Sequence, residues 1–188
     1  MESCKQLESF TFCPKCGGNF VDNNIKSKQC TACGFTYYFN PSAAVVAIIK
    51  NEAGEILVAT RAKEPAKGSF DLPGGFVDCF ESAEQSICRE VMEECNLEVK
   101  SLKYLFSIPN IYSYSNFNVH TVDTFFECQV ESFEGMVAAD DVAELQFIAP
   151  SKLDPSKFGL KSISTGVMRY LATITELLCL LLETPIKK

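Results

Sequence analysis

Gly75–Leu97 reads GFVDCFESAEQSICREVMEECNL. Ser82 suits a helix N-cap, and Gln85 three residues on completes a capping box. Nothing between Gln85 and Cys95 breaks a helix. With Glu90 at zero on a wheel of about 100° per residue, Glu94 falls at roughly +40° and Glu93 at roughly −60°. Three carboxylates therefore share one arc. Ile87, Cys88, Val91, Met92 and Cys95 form an apolar stripe beside it. Like charges at these spacings repel, by a few tenths of a kcal/mol each. A solvated acidic face is the ordinary meaning of a Glu run. Here, however, a strand-like segment, the Leu72-Pro73-Gly74-Gly75 turn and Arg89 stand in register with it. A divalent cation removes the repulsion, and carboxylate oxygens are the ligands magnesium prefers.

The offsets carry a resemblance. Gly75, five residues, Glu81, seven residues, then Arg89-Glu90-Val91-Met92-Glu93-Glu94-Cys95-Asn96-Leu97 resembles the Nudix box, G-x5-E-x7-R-E-U-x-E-E-x-G-U with U apolar. Every charged position matches, and Asn96 stands where the family has Gly. Asn is the next-best residue for the left-handed conformation that closes a helix. The resemblance implies a pyrophosphohydrolase using magnesium or manganese. Glu90 and Glu94 would be the principal metal ligands. Glu93 would be a further ligand or the proton acceptor, oriented by Arg89, while Gly75 and Glu81 support the loop. A carboxylate beyond the box often completes such sites. In Asp140-Asp141-Val142-Ala143-Glu144 the first candidate is Glu144 and the second Asp141; a solvated acidic loop is the alternative.

Ten cysteines fall into two groups. Cys13, Cys16, Cys30 and Cys33 form two C-x2-C pairs thirteen residues apart, the spacing of a four-cysteine zinc site. Gly17 and Gly34 follow the pairs, so each turn can aim backbone N–H groups at sulfur. Two disulfides or a dithiol redox motif compete with that reading. The N-terminus lacks the basic-then-apolar plan of a signal peptide, and this favours zinc. The remaining cysteines show no metal spacing and read as small core or surface residues.

The 188-residue chain suits one ordinary domain with a small appendage. A net charge of −7 argues against nucleic acid or an anionic membrane as the main partner. The expectation is a soluble cytoplasmic protein acting on a nucleotide-derived small molecule. Residues 1–40 form the expected zinc ribbon. Lys5, Lys15, Lys26 and Lys28 against Glu2, Glu8 and Asp22 leave it a net +1, little for a nucleic-acid ribbon. Its expected task is structural, packing on the main domain or building a homodimer.

Residues 41–188 form the expected catalytic domain. Ala43–Ile49, Ile56–Thr60, Val99–Phe106, Thr121–Val130 and Gln146–Ile148 read as strands, and Asn51–Glu55 as a turn. Pro150–Leu153 reads as a loop or short helical turn. Ser164 or Thr165 could cap a last helix running to about Glu183. The class is α/β, and the resemblance implies a Nudix α/β/α sandwich with a mixed sheet after the ribbon.

A four-cysteine ribbon ahead of such a domain is similar to NADH pyrophosphatases and their zinc-ribbon relatives, some of which cleave ADP-ribose or FAD. NADH pyrophosphatases carry S-Q-P-W-P-F-P-x-S after the box. The corresponding stretch, Ser107–Ser115, keeps both serines and the first proline, with Tyr112 for Phe. It lacks the Gln, the Trp and both later prolines. A related dinucleotide or nucleotide-sugar pocket therefore stays open beside a nicotinamide one. Tyr112, Tyr114 and Phe117 are candidates for base stacking, with ordinary packing as the alternative. His120, the only histidine, reads as a surface or packed residue. Two other functions remain open: clearance of damaged nucleoside triphosphates, and a non-catalytic metabolite sensor. Sensors of this kind commonly lose box carboxylates, and all are present here.

Overall fold

The computed structural model describes the backbone of residues 5–114 and 117–183, and side chains from 7–113 and 117–176. The chain divides into two compact units, Met1–Ser42 with Ile111–Thr121, and Ala43–Asn110 with Val122–Lys188.

The first unit carries β1 (Phe20–Asn24), β2 (Ser27–Cys30) and β3 (Thr36–Tyr38), an antiparallel sheet in the order β1-β2-β3. Its core is small: Cys13, Phe20 and Cys30, with Phe10, Phe35 and Tyr37 against them. Phe10 stacks on Tyr37 at 5.4 Å and meets Phe117 edge-on at 6.0 Å. The tip of the long hairpin thus contributes an aromatic ring to this unit.

The second unit contains β4 (Ser42–Ile49), β5 (Ile56–Arg61), β6 (Phe70–Asp71), β7 (Gly74–Phe76) and α1 (Ala83–Cys95). After these come β8 (Val99–Tyr114), β9 (Phe117–Val130), β10 (Val142–Ile148) and α2 (Lys161–Glu183). Two sheets form, β10-β5-β6 and β7-β4-β9-β8. The pairings β10–β5, β5–β6 and β4–β7 are antiparallel, and a bridge from Phe70 to Phe158 is parallel.

β4 explains the layering. It is a nearly unbroken apolar run, as a strand buried on both faces must be. Val45, Ala47 and Ile49 join a core with Ile87, Val91 and Cys95 of α1. Val46 and Ile48 join another with Ile163, Val167 and Tyr170 of α2. Leu57 and Phe126 face the α1 side, Ile56, Val58 and Phe125 the α2 side. A period of two with apolar residues on both faces requires a helix on each, which gives an α/β/α sandwich.

α1 forms as its sequence dictates. The Ser82 hydroxyl accepts the Gln85 N–H, and the Gln85 side chain accepts the Ser82 N–H. Asn96 closes the helix at φ 53°, and its amide donates to the Gly135 carbonyl at 2.8 Å.

The structure differs from expectation at the ends of several elements: β9 begins at Phe117 and β10 at Val142. The strand expected over Val99–Phe106 continues to Tyr114, so Ser107–Tyr114 forms the second half of β8. β8 is the edge of its sheet, the place where a strand tolerates a proline such as Pro109. α2 begins at Lys161. Ser164 and Thr165 lie inside it, with hydroxyls donating to the carbonyls of Pro155 and Lys161, both at 2.8 Å.

α2 approaches β9 closely at Gly166. A Cβ there would stand 2.3 Å from the Phe125 ring, which is fully buried. Ala in place of Gly gains about 1 kcal/mol of helix propensity, whereas overpacking costs typically 1–3 kcal/mol. Gly166→Ala is therefore expected to lower the melting temperature by a few degrees. An unchanged or raised midpoint would show that the helix can move aside.

Candidate functional site

The acidic face of α1 is anchored by Arg89. Its Nε and Nη2 donate to the two Glu81 oxygens, both at 3.0 Å. Nη1 donates to Glu90 and to Glu93, each at 2.9 Å. Nη2 also reaches the Phe76 carbonyl at 3.1 Å. One guanidinium thereby ties the box loop, β7 and two helix carboxylates together. It holds Glu81 down to about 2, and Glu81 foremost raises Arg89 in turn.

The carboxylates are graded in burial. Glu93 is half-exposed, Glu90 mostly covered and Glu94 buried, at 7% exposure. Glu94 accepts the Gly74 N–H at 2.9 Å. Burial pushes it up to about 8 against that hydrogen bond, and the charges of Glu90, Asp71 and Asp141 add to the rise. Burial also raises Glu90, opposed by Arg89.

The two glycines make this geometry possible. Gly74 has φ 150°, and a Cβ there would lie 2.1 Å from the Val45 carbonyl oxygen. At Gly75 a Cβ would lie 2.4 Å from Glu90 Oε1. Only a bare backbone lets β7 lie on β4 and leaves the Glu90 carboxylate its place.

Carboxylate oxygens are the donors a hard divalent ion prefers. Burial penalises the charges of Glu90 and Glu94, and the charges of Glu90 and Asp141 add to the rise of Glu94. Of the two candidates beyond the box, Asp141 acts on Glu94. Glu144 is exposed on β10, opposite Thr60 of β5, past a register irregularity. Segment 137–141 is bonded to the end of α1, the Ala139 N–H donating to the Glu94 carbonyl at 3.0 Å. The Asp141 carbonyl accepts from Ala62 at 2.8 Å.

Sequence reasoning passed over Arg61 and Asp71. They form an ion pair between β5 and β6, each about 11% exposed, and Arg61 also donates to the Pro65 carbonyl at 2.7 Å. Burial raises Asp71, with Arg61 opposing. The available signal was one charge ending an apolar strand and another directly before Leu-Pro-Gly-Gly.

Tyr112 and Phe117 belong to the first unit, whereas the box carboxylates belong to the second. Phe117 packs on Phe10, and His120 lies edge-on to Phe39 at 6.2 Å. The Tyr114 side chain lies outside the described residues.

In the first unit the ligand atoms of Cys13, Cys16, Cys30 and Cys33 all lie within 4.8 Å of one another. Cys13 and Cys33 sulfurs are 3.8 Å apart, Cys16 and Cys30 3.5 Å. Thiolates at about 2.3 Å from a tetrahedral zinc stand roughly 3.8 Å apart, so the set fits. The knuckles repeat one pattern: Gly17 N–H to Cys13 carbonyl at 2.8 Å, Gly34 N–H to Cys30 carbonyl at 3.0 Å. The Cys33 N–H foremost, with that of Ala32, lowers Cys30 to about 6. Cys16 has the Gly18 N–H in favour of its thiolate, yet hydrogen bonds with Cys33 and Cys30 push it up to about 12. Without a cation the four cannot all ionise.

No helix among the described residues is long and apolar enough to cross a membrane.

Residues 40–169 match the family model described as NUDIX domain. The chain is 34% identical over 138 residues to an ADP-ribose pyrophosphatase of Methanocaldococcus jannaschii, covering 72% of this chain and 78% of that protein. It is 33% identical over 103 residues to the NAD-capped RNA hydrolase NudC of Vibrio parahaemolyticus, but spans only 39% of that protein's length. Among solved structures, a NUDIX hydrolase from Nitrosomonas europaea superposes with a TM-score of 0.68 at 22% identity. That match covers 87% of this chain and 91% of that one.

Proposed function

From the premise that this chain belongs to the Nudix hydrolase family, we propose that it hydrolyses the diphosphate linkage of a nucleoside diphosphate derivative. ADP-ribose comes first, NADH next and FAD after them. The reading rests on the buried Glu94, which accepts the Gly74 N–H and feels the charges of Glu90 and Asp141. Likeness to an ADP-ribose pyrophosphatase along most of the chain supports the substrate class.

A magnesium or manganese ion held there would neutralise diphosphate oxygens and make a water more acidic. Glu90 and Glu94 would hold it, with Asp141 as the carboxylate from beyond the box. Glu93 is the exposed member and sits where a proton can leave to solvent; Arg89 fixes its oxygen at 2.9 Å. Glu81, kept ionised by Arg89, holds the loop by accepting the Asp78 N–H at 3.1 Å. The fixed carboxylates supply positioning, which is most of what attack on phosphorus requires. The four cysteines would bind a structural zinc that organises the first unit.

A hydrolysis panel with magnesium and manganese tests the reading. It spans ADP-ribose, NADH, NAD, FAD, NAD-capped RNA, diadenosine polyphosphates and nucleoside triphosphates, with products separated. AMP and ribose 5-phosphate are the expected products from ADP-ribose. Turnover confined to triphosphates, releasing pyrophosphate, would overturn it in favour of nucleotide clearance.

A further inference from the structure

The connection between β9 and β10, residues 131–141, is tied to the C-terminal end of α1. A helix leaves its last carbonyls without intrahelical partners. Here the Ala139 N–H donates to the Glu94 carbonyl at 3.0 Å and the Val137 N–H to the Cys95 carbonyl at 3.1 Å. The Asn96 N–H donates to the Met92 carbonyl at 2.9 Å. The Asn96 side chain adds a bond in the other direction, its amide donating to the Gly135 carbonyl at 2.8 Å. Phe133 and Met136 of the same connection pack on the α1-side core, and Phe133 meets Phe147 edge-on at 5.1 Å. Asn96 stands at φ 53°, where the Nudix box has Gly. Glycine closes a helix there without steric cost, but it has no side chain with which to reach Gly135.

We propose that Asn96 is a positioning residue: it clamps the 131–141 connection onto α1 and so fixes the turn that carries Glu93 and Glu94. The inference rests on the metal site proposed above. Glu94 is held twice, its main-chain carbonyl by Ala139 and its carboxylate by the Gly74 N–H at 2.9 Å. The second bond grips the end of a flexible side chain, so the first must keep the main chain still. Helix ends fray, and a frayed last turn carries Glu94 away from Glu90, one turn back on the same helix. The bonds from Val137 and Ala139 prevent this, and they form only while the connection lies against the helix. Asn96 holds the connection two residues before the first of them. A metal ion on Glu94 would steady the same turn, so metal and clamp favour one state and each strengthens the other.

Asn96→Gly separates closing the helix from clamping, because glycine keeps the left-handed turn and loses the amide. In chelator, hydrogen exchange at the Val137 and Ala139 amides should speed up about fivefold, within what one lost hydrogen bond carries. The amides of Ile87 and Val91 should stay protected. Mn²⁺ binding to the substrate-free variant, read from the electron paramagnetic resonance of free Mn²⁺, should weaken about threefold, since only the ordered fraction binds. In wild type, Mn²⁺ should in turn slow exchange at Val137 and Ala139. Asn96→Asp keeps the shape but its carboxylate cannot donate, so these two amides should exchange in it as fast as in Asn96→Gly. If Asn96 merely closes the helix, glycine leaves both amides protected and Mn²⁺ affinity unchanged or higher. That result overturns the proposal, as does Asn96→Asp with wild-type protection. A wild-type protein that binds no Mn²⁺ instead removes the metal site, and both the function proposed above and this role for Asn96 with it. The two failures are thereby told apart.

Discussion

Replacing Glu94 with Gln is expected to lower kcat on ADP-ribose by at least roughly a thousandfold, with the fold intact. Gln is isosteric, and its carbonyl can still accept the Gly74 N–H that Glu94 holds at 2.9 Å. What disappears is the charge. Glu94 is 7% exposed and lies beside Glu90, so its ionised form is costly until a cation shares it. The same substitution should therefore stabilise the metal-free protein while it removes activity. Burial raises Glu94 from 4.5 to about 8. A group raised on folding favours the folded state below its unfolded value, and this contribution is lost as pH rises through the folded one. In chelator, wild type and Glu94→Gln should thus melt alike near pH 4.5, and the variant should be the more stable by pH 8, by a few kcal/mol at the order of magnitude. Two outcomes sink the assignment: an unchanged rate, or melting curves that stay parallel across that range.

How much of this was legible depended on how local the cause was. The capping box at Ser82 and Gln85, the left-handed close at Asn96 and the arc of Glu90, Glu93 and Glu94 all lie within one helix. Helix chemistry over a few residues determines them. The knuckles were legible for the same reason, since C-x2-C-G is a turn that carries its own ligands. What the sequence hid was non-local. Asp141 acts on Glu94 from a distant part of the chain, whose segment is tied in by the Ala139 N–H on the Glu94 carbonyl and the Ala62 N–H on the Asp141 carbonyl. Arg61 and Asp71 meet only because β5 and β6 are neighbours, with Ala59 opposite Asp71. Tyr112 and Phe117 were weighed through a motif likeness. Their long hairpin arms place them in the first unit, where Phe117 meets Phe10, a ring more than a hundred residues away in the chain. Edge position, ladder irregularity and cross-strand neighbours are tertiary facts, and no window of the sequence contains them.

The second large effect is expected at the cysteines. The first unit buries Cys13, Phe20 and Cys30 with a few half-covered aromatics, too little apolar surface to hold a fold of this length unaided. A structural zinc contributes about 10 kcal/mol or more to folding, which exceeds what such a core supplies. Substituting Cys30 with Ser should remove zinc and abolish the dispersed amide resonances of residues 5–42 and 111–121. Cys30 is the thiol lowered to about 6 by the N–H groups of Cys33 and Ala32. Ser keeps the hydrogen bonds and loses the soft anionic ligand, so the variant isolates the metal bond from the turn. The α1 and α2 cores share no residue with this unit's core, so resonances from Val45 to Val91 should persist. Strong chelation of the wild-type protein should reproduce the variant's spectrum, and added Zn²⁺ should restore the native one. A first unit that stays folded in the variant, or a purified wild-type protein with less than stoichiometric zinc and a native spectrum, would mean that packing alone organises the knuckles.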